Sequence, residues 1–171
     1  WDGAVFQRYG QAEGLVARGR NAVGVDAQGL LWVGSGHEIL CFDGERFQRP
    51  AAVEAKSQIR KIYRDRLDRV WFCTTGDGVY CYDGTFHHFT PQLGLAYPVV
   101  NSVFEDREGL IWFATWGNGL CSYDQHSVRL VDLDLFQQGV SDVVEDTKRR
   151  LWLQMAELGE SKSEGSTFIL L

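Results

Sequence analysis

Val103-Phe104-Glu105-Asp106-Arg107-Glu108-Gly109-Leu110-Ile111-Trp112-Phe113-Ala114-Thr115 reads as two short strands around a tight turn. The β-branched and aromatic residues on either side favour extended backbone. Asp106 suits the opening position of the turn, because its carboxylate can accept backbone N–H bonds, and Gly109 supplies the positive φ that follows. Upstream, Val100-Asn101-Ser102 lengthens the first strand. Downstream, Trp116-Gly117-Asn118-Gly119 reverses the chain, Leu120-Cys121-Ser122-Tyr123 forms a third strand, and Asp124 turns it again. A weaker fourth strand is best seen in other units, as Arg46-Phe47-Gln48-Arg49 and Phe86-His87-His88-Phe89.

The unit recurs along the chain. Trp32, Trp71, Trp112 and Trp152 are separated by 39, 41 and 40 residues, and Asp26, Asp65, Asp106 and Asp146 by the same intervals. A second series, Asp2, Asp43, Asp83 and Asp124, is spaced 41, 40 and 41. A strand-rich repeat of about 40 residues indicates four-stranded propeller blades. Helical repeats of similar length are disfavoured by the glycines and by the two-residue alternation within each unit. The expected fold class is all-β, a β-propeller of four-stranded antiparallel blades. The expected division is an outer strand over 1–16, then repeats over 17–56, 57–97, 98–137 and 138–171.

The ends bear on closure. Ala4-Val5-Phe6-Gln7-Arg8-Tyr9 reads as an outermost fourth strand and Ser166-Thr167-Phe168-Ile169-Leu170-Leu171 as a third strand, so the leading strand is available to complete the last blade. Three outcomes stand open: an arc belonging to a longer propeller, an eight-bladed ring of two chains as a homodimer, or a closed four-bladed ring. The chain opens on Trp1-Asp2-Gly3 with no signal-like stretch, as expected for a piece of a larger or processed protein.

Composition narrows the function classes. The 171 residues carry a net charge of -6, with 44% hydrophobic and 23% charged residues, which describes a soluble globular domain. No apolar run approaches the roughly 18–20 residues of a membrane-spanning helix. No Lys/Arg stripe exists to meet phosphates, so no nucleic-acid partner is expected. The pairs Glu105-Asp106 and Glu145-Asp146 look like acid/base candidates, but their aspartates belong to the turn series. His87 and His88 point to opposite faces of a strand, and His37 and His126 stand apart, so no metal site is expected. Cys41, Cys73, Cys81 and Cys121 lack zinc spacing and read as free thiols in strands, although Cys73 and Cys81 lie across one hairpin. Gly34-Ser35-Gly36 and Gly76-Asp77-Gly78 turn hairpins and lack the Lys-Ser/Thr of a phosphate loop. No catalytic residue and no cofactor are expected.

What remains is a binding face. In a propeller the loops from fourth to first strand share one face with the second-to-third hairpins, which gathers Ser35, Gly36, His37, Thr75, Asp77, Trp116, Gly117 and Asn118. The first strands line the axis, where a polar position recurs as Asn21, Arg60, Asn101 and Ser141. The candidate ligand-binding residues are Asn21, His37, Arg60, Asp77, Asn101, Trp116 and Asn118, since polar groups around an aromatic ring suit a sugar or another polar small molecule. The plainer reading is that they solvate the channel mouth and hold hairpins. Glu157 to Glu164 replace the fourth hairpin with a longer polar loop.

The unit from Val103 to Thr115, with Gly117-Asn118-Gly119-Leu120 and the pairs Tyr82-Asp83 and Tyr123-Asp124, resembles the two-component regulator propeller repeat. The resemblance runs from Trp1 to about Leu153. Departures are Gly36-His37-Glu38 in the first unit, Asp68 and Arg149 in place of the turn glycine, and loss of the hairpin motif after Trp152. It implies a sensor propeller, several such repeats forming seven blades, in the extracytoplasmic part of hybrid histidine kinases and related proteins. A glycan ligand, a downstream signalling domain and a periplasmic location are implied with it, though four thiols sit awkwardly in an oxidising compartment. The expected function is therefore a non-catalytic, ligand-binding input module. A protein–protein interaction scaffold is the alternative, and an enzyme fragment such as a lyase or hydrolase is a third class that the fold does not exclude.

Overall fold

A computed structural model of the chain describes residues 6–15, 21–50, 53–131, 139–156 and 168–171. Four antiparallel sheets follow one another. The first holds β1 (Asn21–Val25), β2 (Leu31–Ser35), β3 (Glu38–Phe42) and β4 (Phe47–Gln48). The second holds β5 (Ile59–Arg64), β6 (Val70–Thr74), β7 (Val79–Tyr82) and β8 (Phe86–Phe89), and the third β9 (Val100–Glu105), β10 (Ile111–Thr115), β11 (Leu120–Tyr123) and β12 (Val128–Val131). The fourth holds β13 (Val140–Glu145), β14 (Leu151–Met155) and β15 (Phe168–Leu170), with no fourth strand among the described residues. Each sheet is a meander, and the first strands pack in sequence, β1 on β5, β5 on β9 and β9 on β13. This is the expected all-β architecture of propeller blades. Among the described residues no comparable packing joins β13 to β1.

The two spacings found in sequence are one structural unit. The indole Nε1–H of Trp32, Trp71, Trp112 and Trp152 donates to Oδ2 of Asp26, Asp65, Asp106 and Asp146, at 2.9, 2.8, 2.7 and 2.9 Å. The other carboxylate oxygen caps the turn, as where Leu67 and Arg69 N–H donate to Asp65 Oδ1 at 3.0 and 2.9 Å. Each carboxylate thus closes the turn and fixes an indole ring, and those of Trp32, Trp71 and Trp112 pack on the following blade. Trp32 lies against Phe72, Tyr82 and Phe86, and Trp71 against Phe113 and Tyr123, with ring centroids 5.0 to 6.3 Å apart. Both indoles are buried, at 2% and 0% exposure. Truncating such a ring costs about 3–5 kcal/mol.

The acid preceding each of the later turn aspartates has a separate task. Arg66 N–H donates to Glu105 Oε2 at 2.7 Å, and Arg107 N–H to Glu145 Oε2 at 2.8 Å. The guanidinium of Arg66 reaches the Asp106 and Arg107 carbonyls, and that of Arg107 the Thr147 carbonyl. Glu105 and Glu145 are thus clasps between neighbouring blades, and the acid/base reading of the Glu-Asp pairs gives way to a structural one.

The connections and the ends of the chain add further detail. Residues Pro91–Leu93 and Gln11–Glu13 each form one 3-10 turn ended by a left-handed glycine, Gly94 at φ 97° and Gly14 at φ 100°, so Gly14-Leu15 and Gly94-Leu95 are equivalent. Asp68 and Arg149, standing where other turns carry glycine, adopt φ of 62° and 64°. The leading segment is a correction: Phe6 to Tyr9 form no strand, and Tyr9 packs edge-on against Phe42 and Phe47 of the first sheet, 4.9 and 6.2 Å away. These residues do not complete the fourth sheet of their own chain; Ala4 and Val5 lie outside the described residues. The trailing segment does pair, β15 lying on β14. All four cysteines are free.

Candidate functional site

The hairpin face is held by backbone bonds between blades and within them. Ile59 N–H donates to Gly36 O at 2.7 Å, Thr75 N–H to Gln58 O at 2.9 Å, and Trp116 N–H to Val99 O at 3.0 Å. Each second-to-third hairpin is thereby held against the segment that leads into a first strand. Thr74 and Thr115 hydroxyls donate to the carbonyls of Gly78 and Gly119 and tighten two of the hairpins.

Asp77 is engaged within this scaffold. Its Oδ2 accepts from Lys56 N–H at 2.8 Å and from the Tyr80 hydroxyl at 2.6 Å, pinning the loop to the hairpin. Burial, with Asp77 accepting the phenolic proton, pushes the Tyr80 pKa well above its ordinary value. His88 stacks on Tyr80 at 4.1 Å and lies within 2.6 Å of the Asp77 carbonyl, whereas His87 turns to Asp83 at 3.0 Å. The two histidines do face opposite sides of β8, and both are structural.

Trp116 and Asn118 are exposed on the third hairpin, with Trp116 at 38% exposure. Asn118 holds the left-handed position of the turn at φ 59° and donates from Nδ2 to Ala96 O at 3.3 Å. Beside them lies Tyr97, exposed to 37%. Gly117 rests on that ring, for a Cβ there would come within 3.2 Å of Tyr97 Cδ2 and Cε2. The structure thus brings Tyr97, Trp116 and Asn118 together on one corner of the face. Tyr97 was not among the sequence candidates; its signal is a tyrosine 41 residues after Lys56, whose neighbours are equally spaced from Asp77 and Asn118. His37 is exposed at the tip of the first hairpin, on another blade.

The axial position is displaced by one residue from the expected one. The pairing of the first and second strands jumps at Arg60, Asn101 and Ser141, which leaves each of them as a β-bulge. A bulge re-aims the residue that follows it. Lys61, Ser102 and Asp142, rather than Arg60, Asn101 and Ser141, then converge on the axis: Lys61 Nζ donates to Ser102 Oγ at 2.6 Å and to Asp142 Oδ1 at 3.4 Å, and Ser102 Oγ donates to Asp142 Oδ1 at 2.5 Å. Asn101 instead donates to Val140 O at 2.7 Å, with its Oδ1 buried and unpartnered, while Arg60 is exposed. The first sheet has no bulge; Asn21 begins β1 opposite Ser35, and Ala22 holds the axial place. The polar loop from Glu157 to Glu164 lies outside the described residues.

The axial trio joins three blades by one ammonium, one hydroxyl and one carboxylate. Ser102 is 2% exposed, which withholds its oxygen from an incoming electrophile, while Lys61 and Asp142 side chains keep 37% and 44% of their surface open. The group offers a charged donor and a charged acceptor to solvent. Among the described residues no three His, Cys, Asp or Glu side chains are grouped to hold a metal, and no helix is long and apolar enough to cross a membrane.

Comparison with known proteins adds a repeat identity and a fold. The family described as "Two component regulator propeller" matches residues 94–117, which bears out the resemblance for that unit. No curated protein matches the sequence. The extracellular domain of the hybrid two component system BT3049 from B. thetaiotaomicron superposes with a TM-score of 0.74 at 18% identity, covering 86% of this chain and 23% of that one. The extracellular domain of the one component system BT4673 from the same organism gives 0.67 at 18% identity, over 92% of this chain and 25% of that one. The chain thus spans about a quarter of the length of those structures. A catalytically inactive virginiamycin B lyase from Staphylococcus aureus, solved with quinupristin, gives 0.63 at 16% identity over 86% of this chain and 54% of that one.

Proposed function

We propose that this propeller segment is a non-catalytic, ligand-binding input module of a two-component or related signalling protein, working outside the cytoplasm. The two-component regulator propeller repeat at residues 94–117 and the likeness to two extracellular domains support that context. The observation that carries the binding role is the corner of the hairpin face where exposed Trp116 and Tyr97 stand beside Asn118. Aromatic rings partly open to solvent beside an amide group suit a carbohydrate or another polar ring-bearing ligand. Binding rather than turnover is favoured because the repeat carboxylates are engaged in turns, indoles and clasps, and because Ser102 is covered.

A thermal-shift screen of oligosaccharides and small polar metabolites against the chain tests this. Binding raises the melting temperature by mass action. The reading expects at least one saccharide to stabilise the parent, and Trp116→Ala or Tyr97→Ala to weaken that ligand tenfold or more at unchanged intrinsic stability. A ligand whose affinity ignores both substitutions would contradict the proposed corner. Stabilisation by a protein partner alone would favour the scaffold role.

A further inference from the structure

The junction between the first two blades is filled differently from the one that follows it. At the second-to-third junction, Phe89 of β8 packs on Trp71, Phe113 and Tyr123, and Leu95 of the connecting loop is buried beside them at 3% exposure. Phe42 pairs with Phe47 in the first sheet as Tyr82 does with Phe86 in the second. Three residues further on, Pro50 therefore stands where Phe89 stands, and the loop that follows buries Ala55 rather than a leucine. A phenyl ring and a branched chain are thus exchanged for a proline and a methyl group. A cavity of about 580 Å³ lies here, between the connecting loop and the outer strands of the second blade. Small-molecule sites commonly hold roughly 300–1,000 Å³.

The cavity is rich in aromatic rings and acceptors. Tyr80, Tyr82, Phe86 and His88 line it from the second blade, and Pro50 and Glu54 from the loop. His88 stacks on Tyr80 at 4.1 Å. Tyr82 and Phe86 lie 4.9 Å apart and both pack on the buried Trp32, at 5.0 and 6.3 Å, so these rings are held in place before any ligand arrives. Tyr80 gives its hydroxyl proton to Asp77 Oδ2 at 2.6 Å, which leaves the phenolic oxygen as an acceptor. Glu54 is exposed and has no ion-pair partner among the described residues, and no described lysine or arginine lines the cavity. The negative faces of aromatic rings attract a cation, and an unpaired carboxylate beside them adds a full countercharge. We infer that this cavity binds an organic ammonium ion, seated among Tyr82, Phe86 and His88 with its charge toward Glu54. No side-chain amide lines it, unlike the corner at Trp116 and Asn118 on the third blade, so the two sites differ in chemistry as well as place.

Calorimetric titration of the chain with choline at pH 8 tests this, with 3,3-dimethylbutan-1-ol as the uncharged isostere. Choline should bind saturably and the alcohol at least tenfold more weakly. Glu54→Gln, at an exposed position, should weaken choline about fivefold. Pro50→Phe, which supplies the ring that Phe89 supplies at the next junction, should abolish binding while the urea midpoint stays at or above that of the parent. Equal affinity for the alcohol, a choline affinity that ignores Glu54→Gln, or no saturable binding up to about 10 mM overturns the inference. Saccharide binding at the Trp116 corner, present or absent, bears on none of these readings.

Discussion

Exchanging Asp65 for Asn strikes the bond that defines the repeat. Asp65 is 3% exposed and its Oδ2 receives Trp71 Nε1–H at 2.8 Å and Arg69 Nε–H at 2.6 Å, while Arg69 also lies over the Trp71 ring, 5.0 Å from its centroid. An amide turned to keep Oδ1 for the turn N–H groups points an NH2 at two donors. A buried indole N–H without an acceptor costs about 1–3 kcal/mol, and an ion pair broken from one side costs about 3–5 kcal/mol when fully buried. Arg69 is nearly covered, its side chain 12% exposed, so the expected loss for Asp65→Asn is about 3–4 kcal/mol. Urea unfolding followed by tryptophan fluorescence measures it as a shift in midpoint at constant slope. Trp71→Phe keeps the ring and removes one donor, for an expected loss of about 1–2 kcal/mol. In the double variant the amide no longer confronts the indole, so the cycle should show a coupling of at least about 1 kcal/mol. A loss below about 1 kcal/mol for Asp65→Asn, or strict additivity, would refute the reasoning.

Other consequences follow from single residues. Arg149, at φ 64°, holds a backbone conformation that strains an L side chain by about 1–2 kcal/mol; Arg149→Gly is expected to raise the urea midpoint despite losing the exposed pair to Glu108, and a lowered midpoint would count against that strain. Acid should act late. Trp152 N–H holds Asp146 below the usual carboxylate range, as the N–H groups of Arg46 and Glu45 do for Asp43 and those of Ser127 and His126 for Asp124. Folded values below the unfolded value of about 3.9 mean that this stabilisation is complete above that pH and is lost as pH falls through the folded values. Urea midpoints should therefore hold steady from pH 7 to about 5 and fall below about 4; a decline beginning above pH 5 would contradict it. Burial pushes the Cys73 and Cys81 thiols up to about 12 and Cys121 to about 11. Iodoacetamide at pH 8 should consequently spare these three in the native chain, half-buried Cys41 reacting first, and rapid native labelling of Cys73 would show the sheets to be open.

The fold was legible because it is written as a period. Turn aspartate and strand tryptophan sit six residues apart in every unit, and a carboxylate that caps a turn also reaches the indole, so two markers report one bond. The candidate face was legible in part. Trp116 and Asn118 stand where a hairpin tip must expose them, but Asp77, identical in spacing to Asn118, is tied to Lys56 and Tyr80 by neighbours that no local pattern reveals. The axial row was misplaced by one residue. A bulge inserts a residue without changing composition, so Arg60, Asn101 and Ser141 kept the expected alternation on paper while Lys61, Ser102 and Asp142 took the axis. Closure escaped for a different reason: whether Tyr9 pairs with β15 or leans on Phe42 depends on contacts between the two ends, which alternation within a strand does not encode.

Exchange of the indole protons, read in tryptophan-labelled NMR spectra transferred into deuterated water, tests the repeat unit most directly. Bonded to aspartates and covered by a following blade, the Nε1–H groups of Trp32 and Trp71 should persist for hours, while that of exposed Trp116 vanishes at once. Equal and immediate loss from all three would mean that these rings are not held between stacked sheets.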